Sequence, residues 1–347
     1  MDKIIIPISA FTRSGGMRVL CKLADYLIDR GYIVTFVVPV TFSTPYYPTK
    51  ANVISVPSSG SKWRAWVLLT NLFSIWRKAR TLPADYVIAN HYLTAYISLF
   101  LPSKLKKLYY IQAYEVKLSR SFAGKIFAFV TYWLPLSRVV NSPYLLPKWL
   151  PKPLGVVPAG LDLALYKNSP KMYSSKNTIQ LGCVGRVESY KGTKEIVTAF
   201  EALASRYELL LNVAVHMPSI PESIRSQVRF FPVENDEQLA DFYKRCDIVV
   251  ATGLIEDKAF HYPCAEGMAA GKVVISNYSP LALRNGTSSP ALILENVNAE
   301  SIQSAIEFAI NMSGDQQSSE VLENLETVNG YSWDAVGEKF ISCLLRV

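Results

Sequence analysis

Short apolar runs alternate with amphipathic segments along most of the chain. Eleven runs are rich in β-branched or aromatic residues and are bounded by turn residues, which predicts buried parallel strands. These runs are residues 3–9, 33–39, 52–57, 85–90, 107–112, 138–142, 178–186, 207–215, 228–233, 247–252 and 272–276. Apolar residues at helical spacing predict helices between several of them, over residues 15–30, 193–205, 236–245 and 266–270. Strands that alternate with helices indicate an α/β protein with mostly parallel sheets.

The polar stretch at residues 166–178 separates two such series. A chain of 347 residues is long enough for two domains of ordinary size. We therefore expect a Rossmann-like domain at 1–165, a linker at 166–178 and a second Rossmann-like domain at 179–330. Ligands of such sheets bind at the carboxyl ends of strands, so the loops there are the first candidates for chemistry.

The net charge is distributed unevenly between the two halves. Residues 1–165 contain 20 Lys or Arg against 6 Asp or Glu, whereas the remainder contains 16 against 22. A basic first half favours contact with phosphates or anionic lipid. No nucleic-acid recognition motif accompanies this charge, so we expect no nucleic-acid partner.

The cysteine pattern and the length of the apolar stretches indicate the cellular compartment. Five scattered cysteines without a CxxC pair predict neither a disulfide framework nor a zinc site, and favour a reducing compartment. The opening "MDKIIIPISAF" reads as a first strand rather than a secretory signal. The apolar run 126–136 is shorter than the roughly 20 residues that span a bilayer. We therefore expect a cytoplasmic protein that is able to touch a membrane.

Two loops after strands carry candidate anion-binding groups. Gly15 and Gly16 open a helix after the first strand, where free amides attract phosphate, although a plain strand–helix turn uses the same residues. In "GCVGRVESYKG", Arg186 follows a strand and Lys191 precedes a helix. A guanidinium and an ammonium aimed at one loop suit a diphosphate, but they could equally lie on a surface turn.

A third stretch, "KAFHYPCAEGMAAGKVVIS" (258–276), places Glu266 at the start of a short helix of small residues. One interpretation is a carboxylate that binds the ribose of a sugar nucleotide. The other is an acidic residue in a first helical turn, which the helix dipole favours. His91 in "IANHYLT" follows a strand and could reach an acceptor, or it could be a loop histidine with satisfied hydrogen bonds.

Taken in order, the glycine pair, "GRVESYKG" and "FHYPCAEGMAAG" resemble the GT4 family of retaining glycosyltransferases. The segments "VVPAGLD" (156–162) and "YSWDAVGEKF" (331–340) are also similar to that family. The resemblance implies the GT-B fold, in which two Rossmann-like domains with parallel sheets face each other across a cleft. It also implies a nucleotide-sugar donor and no metal or other cofactor, which agrees with the lack of a DxD motif.

The resemblance implies roles for particular residues. Arg186 and Lys191 would bind the donor diphosphate, and Glu266 would accept hydrogen bonds from the ribose hydroxyls. The loop of Phe260, His261 and Tyr262 would lie beside the phosphates and the donor sugar, with Gly15 and Gly16 also on the donor side. Residues 331–347 would form a helix that returns to the first domain.

Two positions depart from the family pattern. The family usually has an acidic residue eight positions before Glu266, where it contacts donor-sugar hydroxyls, and this chain has Lys258. Many members also have a histidine where this chain has Gln112, with Glu115 three residues later. Similar "Q-x-Y/F-E" segments occur in members that assemble bacterial polysaccharides. We therefore take Glu115, Gln112, Lys258 and His91 as the candidate catalytic residues.

The segment 61–80 combines aromatic and basic residues, a composition typical of a helix at a membrane interface. Its candidate membrane residues are Lys62, Trp63, Arg64, Trp66, Trp76, Arg77, Lys78 and Arg80. The other interpretation is that the aromatic residues pack between helix and sheet.

These observations predict a peripheral membrane glycosyltransferase at the cytoplasmic face. It would transfer a hexosyl or deoxyhexosyl unit to a lipid-linked or growing bacterial surface polysaccharide. The alternatives are a GT-B-shaped epimerase or phosphorylase, and an inactive donor-binding subunit of a polysaccharide assembly complex.

Overall fold

The computed structural model describes residues 1–119, 121–167, 172–174, 177–253, 259–284 and 289–347, apart from the side chain of Arg64. The described strands are β1 (Lys3–Pro7), β2 (Ile33–Pro39), β3 (Asn52–Val56), β4 (Tyr86–Ala89), β5 (Lys106–Ile111), β6 (Ser137–Val140), β7 (Gly155–Val156), β8 (Ile179–Val184), β9 (Leu209–Ala214), β10 (Val228–Phe231), β11 (Ile248–Val250) and β12 (Val273–Ile275). The eleven predicted strands are therefore present, but the edge strands β3 and β10 are largely exposed or half-buried rather than buried. Strand β7 is one that the apolar pattern did not indicate.

The described α-helices surround these strands. They are α1 (Gly15–Asp29), α2 (Arg64–Thr81), α3 (Tyr92–Leu99), α4 (Glu115–Leu118), α5 (Phe122–Thr131), α6 (Leu163–Tyr166), α7 (Thr193–Ala204), α8 (Asp236–Lys244), α9 (Tyr262–Ala269), α10 (Ala299–Ile310), α11 (Gly314–Asn329) and α12 (Trp333–Leu345). The chain divides into two compact units, one of residues 1–160 with 333–347 and the other of residues 161–332.

The first unit is built on a parallel sheet of seven strands in the order β3-β2-β1-β4-β5-β6-β7. Helices α2 and α3 pack on it over an apolar core that includes Ile5, Val87 and Ile97. Helix α1 begins where the Ser14 side chain accepts a hydrogen bond from the Met17 amide, and it ends before Gly31, whose φ is +89°. A positive φ suits glycine, which has no Cβ to clash, so Gly31 ends this helix.

Helix α12 belongs to the first unit, although second-unit residues precede it in the chain. The Tyr26 hydroxyl donates a 2.7 Å hydrogen bond to Glu338, and Arg30 contacts the same carboxylate at 3.1 Å. Phe340 packs against the Tyr110 ring at 5.6 Å between centroids. Residues from the far end of the sequence therefore cover α1 and the sheet of this unit.

The second unit has a parallel sheet of five strands in the order β10-β9-β8-β11-β12. Leu161 is the first residue of this unit, and its amide donates a hydrogen bond to the Tyr331 carbonyl at 2.7 Å. Tyr166, the first residue of the predicted linker, is fully buried there. Tyr173 in the middle of that segment exchanges hydrogen bonds with Gln317. Part of the predicted linker, at residues 168–171 and 175–176, lies outside the described residues.

Candidate functional site

A pocket of about 440 Å³ opens in the first unit. Its walls come from the segments that follow β1, β4 and β5 and from the start of α1 and α4. The predicted residues that line it are Gly16, His91, Gln112 and Glu115. Because parallel strands present their carboxyl ends at one edge of the sheet, residues far apart in sequence converge there. Gly15 is the first residue of α1, next to this pocket wall.

Glu115 is a buried acidic group in the wall of the pocket. Its side chain is 7% exposed, and its Oε2 accepts hydrogen bonds from the Tyr92 amide and the Tyr109 hydroxyl, each at 2.7 Å. Burial raises the pKa of this carboxyl to about 7, and the two hydrogen bonds oppose the rise because they favour the charged form. A carboxyl group that titrates near neutral pH in a pocket can exchange a proton with a bound hydroxyl.

A second tyrosine fixes the backbone at the same residue. The Glu115 amide donates to the Tyr132 hydroxyl at 3.0 Å, and Tyr132 is fully buried. Tyr109 and Tyr132 were not among the predicted site residues. A signal was available, since a tyrosine in the middle of a buried strand needs a partner for its hydroxyl, and β5 contains two.

His91 lines the pocket and also caps α3. Its Nδ1 accepts a hydrogen bond from the Leu93 amide at 3.3 Å, so the neutral ring carries its proton on Nε2. Burial lowers the pKa of His91 to about 4, and the ring is neutral at pH 7. The capping bond and the pocket position are compatible, so both interpretations of this histidine stay open.

Gln112 connects the end of β5 to the start of α1. Its Nε2 donates to the Gly16 carbonyl at 3.2 Å, and its own carbonyl accepts from Asn141 at 2.6 Å. A Cβ on Gly16 would lie 3.4 Å from the Gln112 amide oxygen. The glycine therefore allows close contact between the helix start and Gln112.

In the second unit, Arg186, Lys191 and His261 line one small recess. Arg186 follows β8, and its amide donates to the Thr193 hydroxyl at 3.0 Å. Lys191 precedes Gly192, which has a φ of +75° and begins α7. The free volume is only about 10 Å³, so the recess is a cluster of polar groups rather than a formed cavity.

Two buried polar atoms of this recess have no hydrogen-bond partner within the described part of the chain. They are Nδ1 of His261 and Oγ1 of Thr252. Buried polar atoms usually have a hydrogen-bond partner in folded proteins, so these two atoms are available to bond a group that enters the recess. Burial, with the positive charges of Lys191 and Arg186, keeps the pKa of His261 well below its usual value, and its ring is neutral.

Glu266 lies in a different position from the one predicted. Helix α9 begins at Tyr262 rather than at 266, because Pro263 occupies a first-turn position where its fixed φ favours a helix. Glu266 is therefore in the second turn and is 1% exposed, and the Tyr243 hydroxyl donates to its Oε2 at 3.0 Å. It is not among the residues that line the recess of Arg186 and Lys191.

The aromatic residues around His261 divide between loop and helix. Tyr262, predicted as part of a loop, is the first residue of α9. The Phe260 ring packs edge-on against the Tyr262 ring at 5.4 Å and contacts the Tyr331 ring at 5.6 Å. Lys258 and the neighbouring Glu256 and Asp257 lie outside the described residues.

The predicted membrane segment forms α2, preceded by Lys62 and Trp63. Trp63, Trp66 and Phe73 are exposed, as are Arg77 and Arg80. Trp76 is partly buried against the core, and its Nε1 donates to the Phe100 carbonyl at 3.0 Å. The packing interpretation therefore holds for Trp76, whereas the other three aromatic residues face solvent. Among the described helices, none is long and apolar enough to cross a membrane.

Comparison with known proteins defines the fold. Residues 178–311, which are less than half of the chain, match the family model of the glycosyl transferases group 1. Sucrose-phosphate synthase from Thermosynechococcus elongatus is 15% identical with a TM-score of 0.77, over 100% of this chain and 99% of that chain. Anabaena Alr3699/HepE in complex with UDP and glucose is 14% identical with a TM-score of 0.74, over the full length of both chains.

A third similar structure is WaaG, a glycosyltransferase involved in lipopolysaccharide biosynthesis. It is 15% identical with a TM-score of 0.70, over 98% of this chain and 99% of that chain. No curated protein sequence matches the chain. The expected α/β fold with two parallel sheets is thus confirmed and matches GT-B glycosyltransferase structures, and residues 178–311 of the second unit match the glycosyl transferases group 1.

Proposed function

We propose that the protein is a retaining GT4-type glycosyltransferase that uses a nucleotide-sugar donor. The observation that carries this proposal is the recess of Arg186, Lys191 and His261, which follows β8 and precedes α7 within the matched segment. A guanidinium, an ammonium and neutral donors at a helix start suit the diphosphate of such a donor. The Anabaena structure holds UDP and glucose, which supports a sugar nucleotide as the donor class.

In the proposed reaction, the bond between the anomeric carbon and the diphosphate oxygen breaks, and the acceptor oxygen bonds to that carbon on the same face. Arg186 and Lys191 stabilise the negative charge that develops on the departing diphosphate, without a metal or other cofactor. Glu266 is proposed to accept hydrogen bonds from the ribose hydroxyls while it also accepts the hydrogen bond of the Tyr243 hydroxyl. Phe260, His261 and Tyr262 flank the phosphates and the sugar.

The pocket of the first unit is proposed to hold the acceptor. Glu115, with a pKa of about 7, accepts the hydrogen of the acceptor hydroxyl, while Gln112 and His91 orient it. Lys258 donates hydrogen bonds and cannot accept them, so a donor whose hydroxyl pattern does not require an acceptor there, such as a deoxyhexose, is favoured.

The acceptor class is proposed to be a lipid-linked or growing bacterial surface polysaccharide. The exposed aromatic and basic residues of α2 support a peripheral position on the cytoplasmic face of an anionic membrane. The participation of WaaG in lipopolysaccharide biosynthesis is consistent with this acceptor class.

The experiment is a thermal-shift panel of nucleotide sugars, followed by product analysis with the stabilising donor and bacterial lipid extract. We expect release of the nucleoside diphosphate together with a glycosylated lipid. Donor binding without any turnover would favour the inactive-subunit alternative, and a converted free sugar nucleotide would favour an epimerase.

A further inference from the structure

Helix α5 has its large and small side chains in the opposite arrangement to that of an ordinary surface helix. The residues that it buries against the unit are small: Gly124, Ala128 and Thr131. The residues that it exposes are large and apolar: Phe122, Ile126, Phe127 and Val130. Surface helices of globular proteins normally bury their large apolar residues and expose polar ones.

The exposed residues form one stripe along this helix. Phe122, Ile126 and Val130 are spaced by four, and Trp133 follows three residues later, so all four lie near one face. Phe122 is 80% exposed and Trp133 is 54% exposed. The Trp133 ring stacks on Trp149, which is itself 59% exposed. The stripe therefore continues from the helix onto the following loop.

This surface adjoins the α2 surface through α3. The Tyr96 hydroxyl of α3 donates to the Phe127 carbonyl of α5 at 2.9 Å. On its other side, the Phe100 carbonyl at the end of α3 accepts the Trp76 indole of α2 at 3.0 Å. The three helices are thus neighbours in one layer.

The sequence segment that carries the stripe has charges of a single sign. Residues 116–160 contain six Lys or Arg and no Asp or Glu. Lys125 lies within α5 and is exposed, and Lys148 and Lys152 flank Trp149. An apolar stripe with a basic rim is complementary to an anionic bilayer, whose headgroups attract the rim while the acyl boundary receives the apolar side chains.

We propose that α5, with Trp133 and Trp149, enters the interface of an anionic lipid bilayer and is the main apolar anchor of the protein. The inference extends the proposed membrane position and depends on it, but not on the sugar-transfer chemistry. In this arrangement α5 lies in the membrane plane, and α2 contributes aromatic residues and basic contacts beside it. A protein partner would not require basic residues alone over so long a stretch, and a second copy of this chain would bring the same positive charge to the contact.

The test uses co-sedimentation of the full chain with phosphatidylcholine vesicles, with and without phosphatidylglycerol. The double variant Phe122→Ser/Ile126→Ser should lower partitioning onto the anionic vesicles by about tenfold or more, because it removes apolar area that the bilayer would cover. The matched control is Leu322→Ser, which changes a residue of α11 in the second unit that is 64% exposed. The control should bind as the unmodified chain does.

A second measurement tests which tryptophans enter the bilayer. With Trp63 and Trp66 replaced by Phe, brominated lipid should still quench fluorescence on vesicle binding, and the further change Trp149→Phe should reduce that quenching. Unchanged partitioning of the double variant, or no quenching through Trp149, would overturn the proposal. So would a lipid-free dimer that the double variant dissociates, since the stripe would then be covered by a second copy.

Calorimetry with UDP separates this proposal from the proposed enzymatic function. The double variant should retain the nucleotide affinity of the unmodified chain, because α5 contributes nothing to the Arg186 recess. Nucleotide binding without vesicle binding would overturn the anchor alone, and vesicle binding without binding of any nucleotide sugar would overturn the enzymatic function alone.

Discussion

The hydroxyl of Tyr109 donates a 2.7 Å hydrogen bond to the carboxylate of Glu115, six residues later in the chain. The bond joins the middle of β5 to the first residue of α4, and both residues are buried. It holds an acidic group at the wall of a pocket in which burial raises the pKa of that group to about 7. The position of the carboxylate is therefore set by a strand residue that itself does not line the pocket.

This arrangement predicts a pH-dependent cost of folding. The pKa of Glu115 is higher in the folded chain than its ordinary value of 4.5, so the folded state retains the proton over a range in which the unfolded state has lost it. Stability should fall as pH rises from about 4.5 through about 7. Glu115→Gln removes the titration, and its free energy of unfolding relative to the unmodified chain should increase over that range. Denaturant unfolding of both proteins at several pH values measures the difference, and parallel curves would contradict the assignment.

The second prediction concerns the proposed diphosphate site. Arg186→Ala should weaken binding of a nucleoside diphosphate by about 1.5–3 kcal/mol, the usual contribution of a hydrogen bond to a charged group. Arg186 is exposed, so the unfolding midpoint should not change. The matched control is Arg225→Ala, which removes an exposed arginine paired with Glu222 in the same unit. Equal affinities by calorimetry for the Arg186 variant and the control would remove the central observation of the proposed function.

The third prediction concerns the turn that begins α7. Gly192 has a φ of +75°, and a Cβ there would lie 3.2 Å from the Thr252 hydroxyl. Gly192→Ala should lower the free energy of unfolding by about 1–2 kcal/mol, because side chains are strained in this region. Gly314→Ala is the control, since no atom lies within 4 Å of its added Cβ at the start of α11. Thermal unfolding should separate the two variants, and the explanation fails if they are equally stable.

The fourth prediction concerns the buried carboxylate of Glu266. Tyr243→Phe removes a 3.0 Å hydrogen bond inside the core and should lower the free energy of unfolding by about 1–3 kcal/mol. Tyr207→Phe removes a similar 2.8 Å bond to Glu307, which is partly exposed, and should cost less because water replaces the lost donor. A Tyr243 variant as stable as the Tyr207 variant would indicate that solvent reaches Glu266.

The apolar pattern was sufficient to predict the central strands because a buried parallel strand is a short, continuous apolar run, and the exposed edge strands β3 and β10 were still rich enough in β-branched and aromatic residues to be recognised. The two-residue strand β7 was missed because it has too few residues to form such a run. The start of α9 was misplaced because the proline at 263 was read as a loop residue, although proline also suits a first helical turn. Such boundaries depend on local backbone geometry that the apolar pattern does not contain.

Candidate residues of the pocket could be named from the sequence, whereas the residues that hydrogen-bond to them inside the fold could not. Gln112 and Glu115 were singled out through the family resemblance, and both line the pocket of the first unit. Tyr109 and Tyr132 were not predicted, because the sequence does not show that the Tyr109 hydroxyl reaches the Glu115 carboxylate or that the Tyr132 hydroxyl reaches the Glu115 amide. Exposure of α5 was likewise not readable, since large apolar residues in a sequence predict burial rather than contact with solvent.

The place of α12 in the first unit has a consequence for synthesis on the ribosome. Tyr26 and Arg30 find their partner Glu338 only after the whole second unit, residues 161–332, has been made. At roughly 5–20 residues per second, this delay is on the order of 10–30 s. The surface of α1 that α12 covers stays exposed during that interval, whereas the second unit has its full sequence before α12 is made. The nascent first unit therefore lacks this part of its surface packing until α12 has emerged from the ribosome.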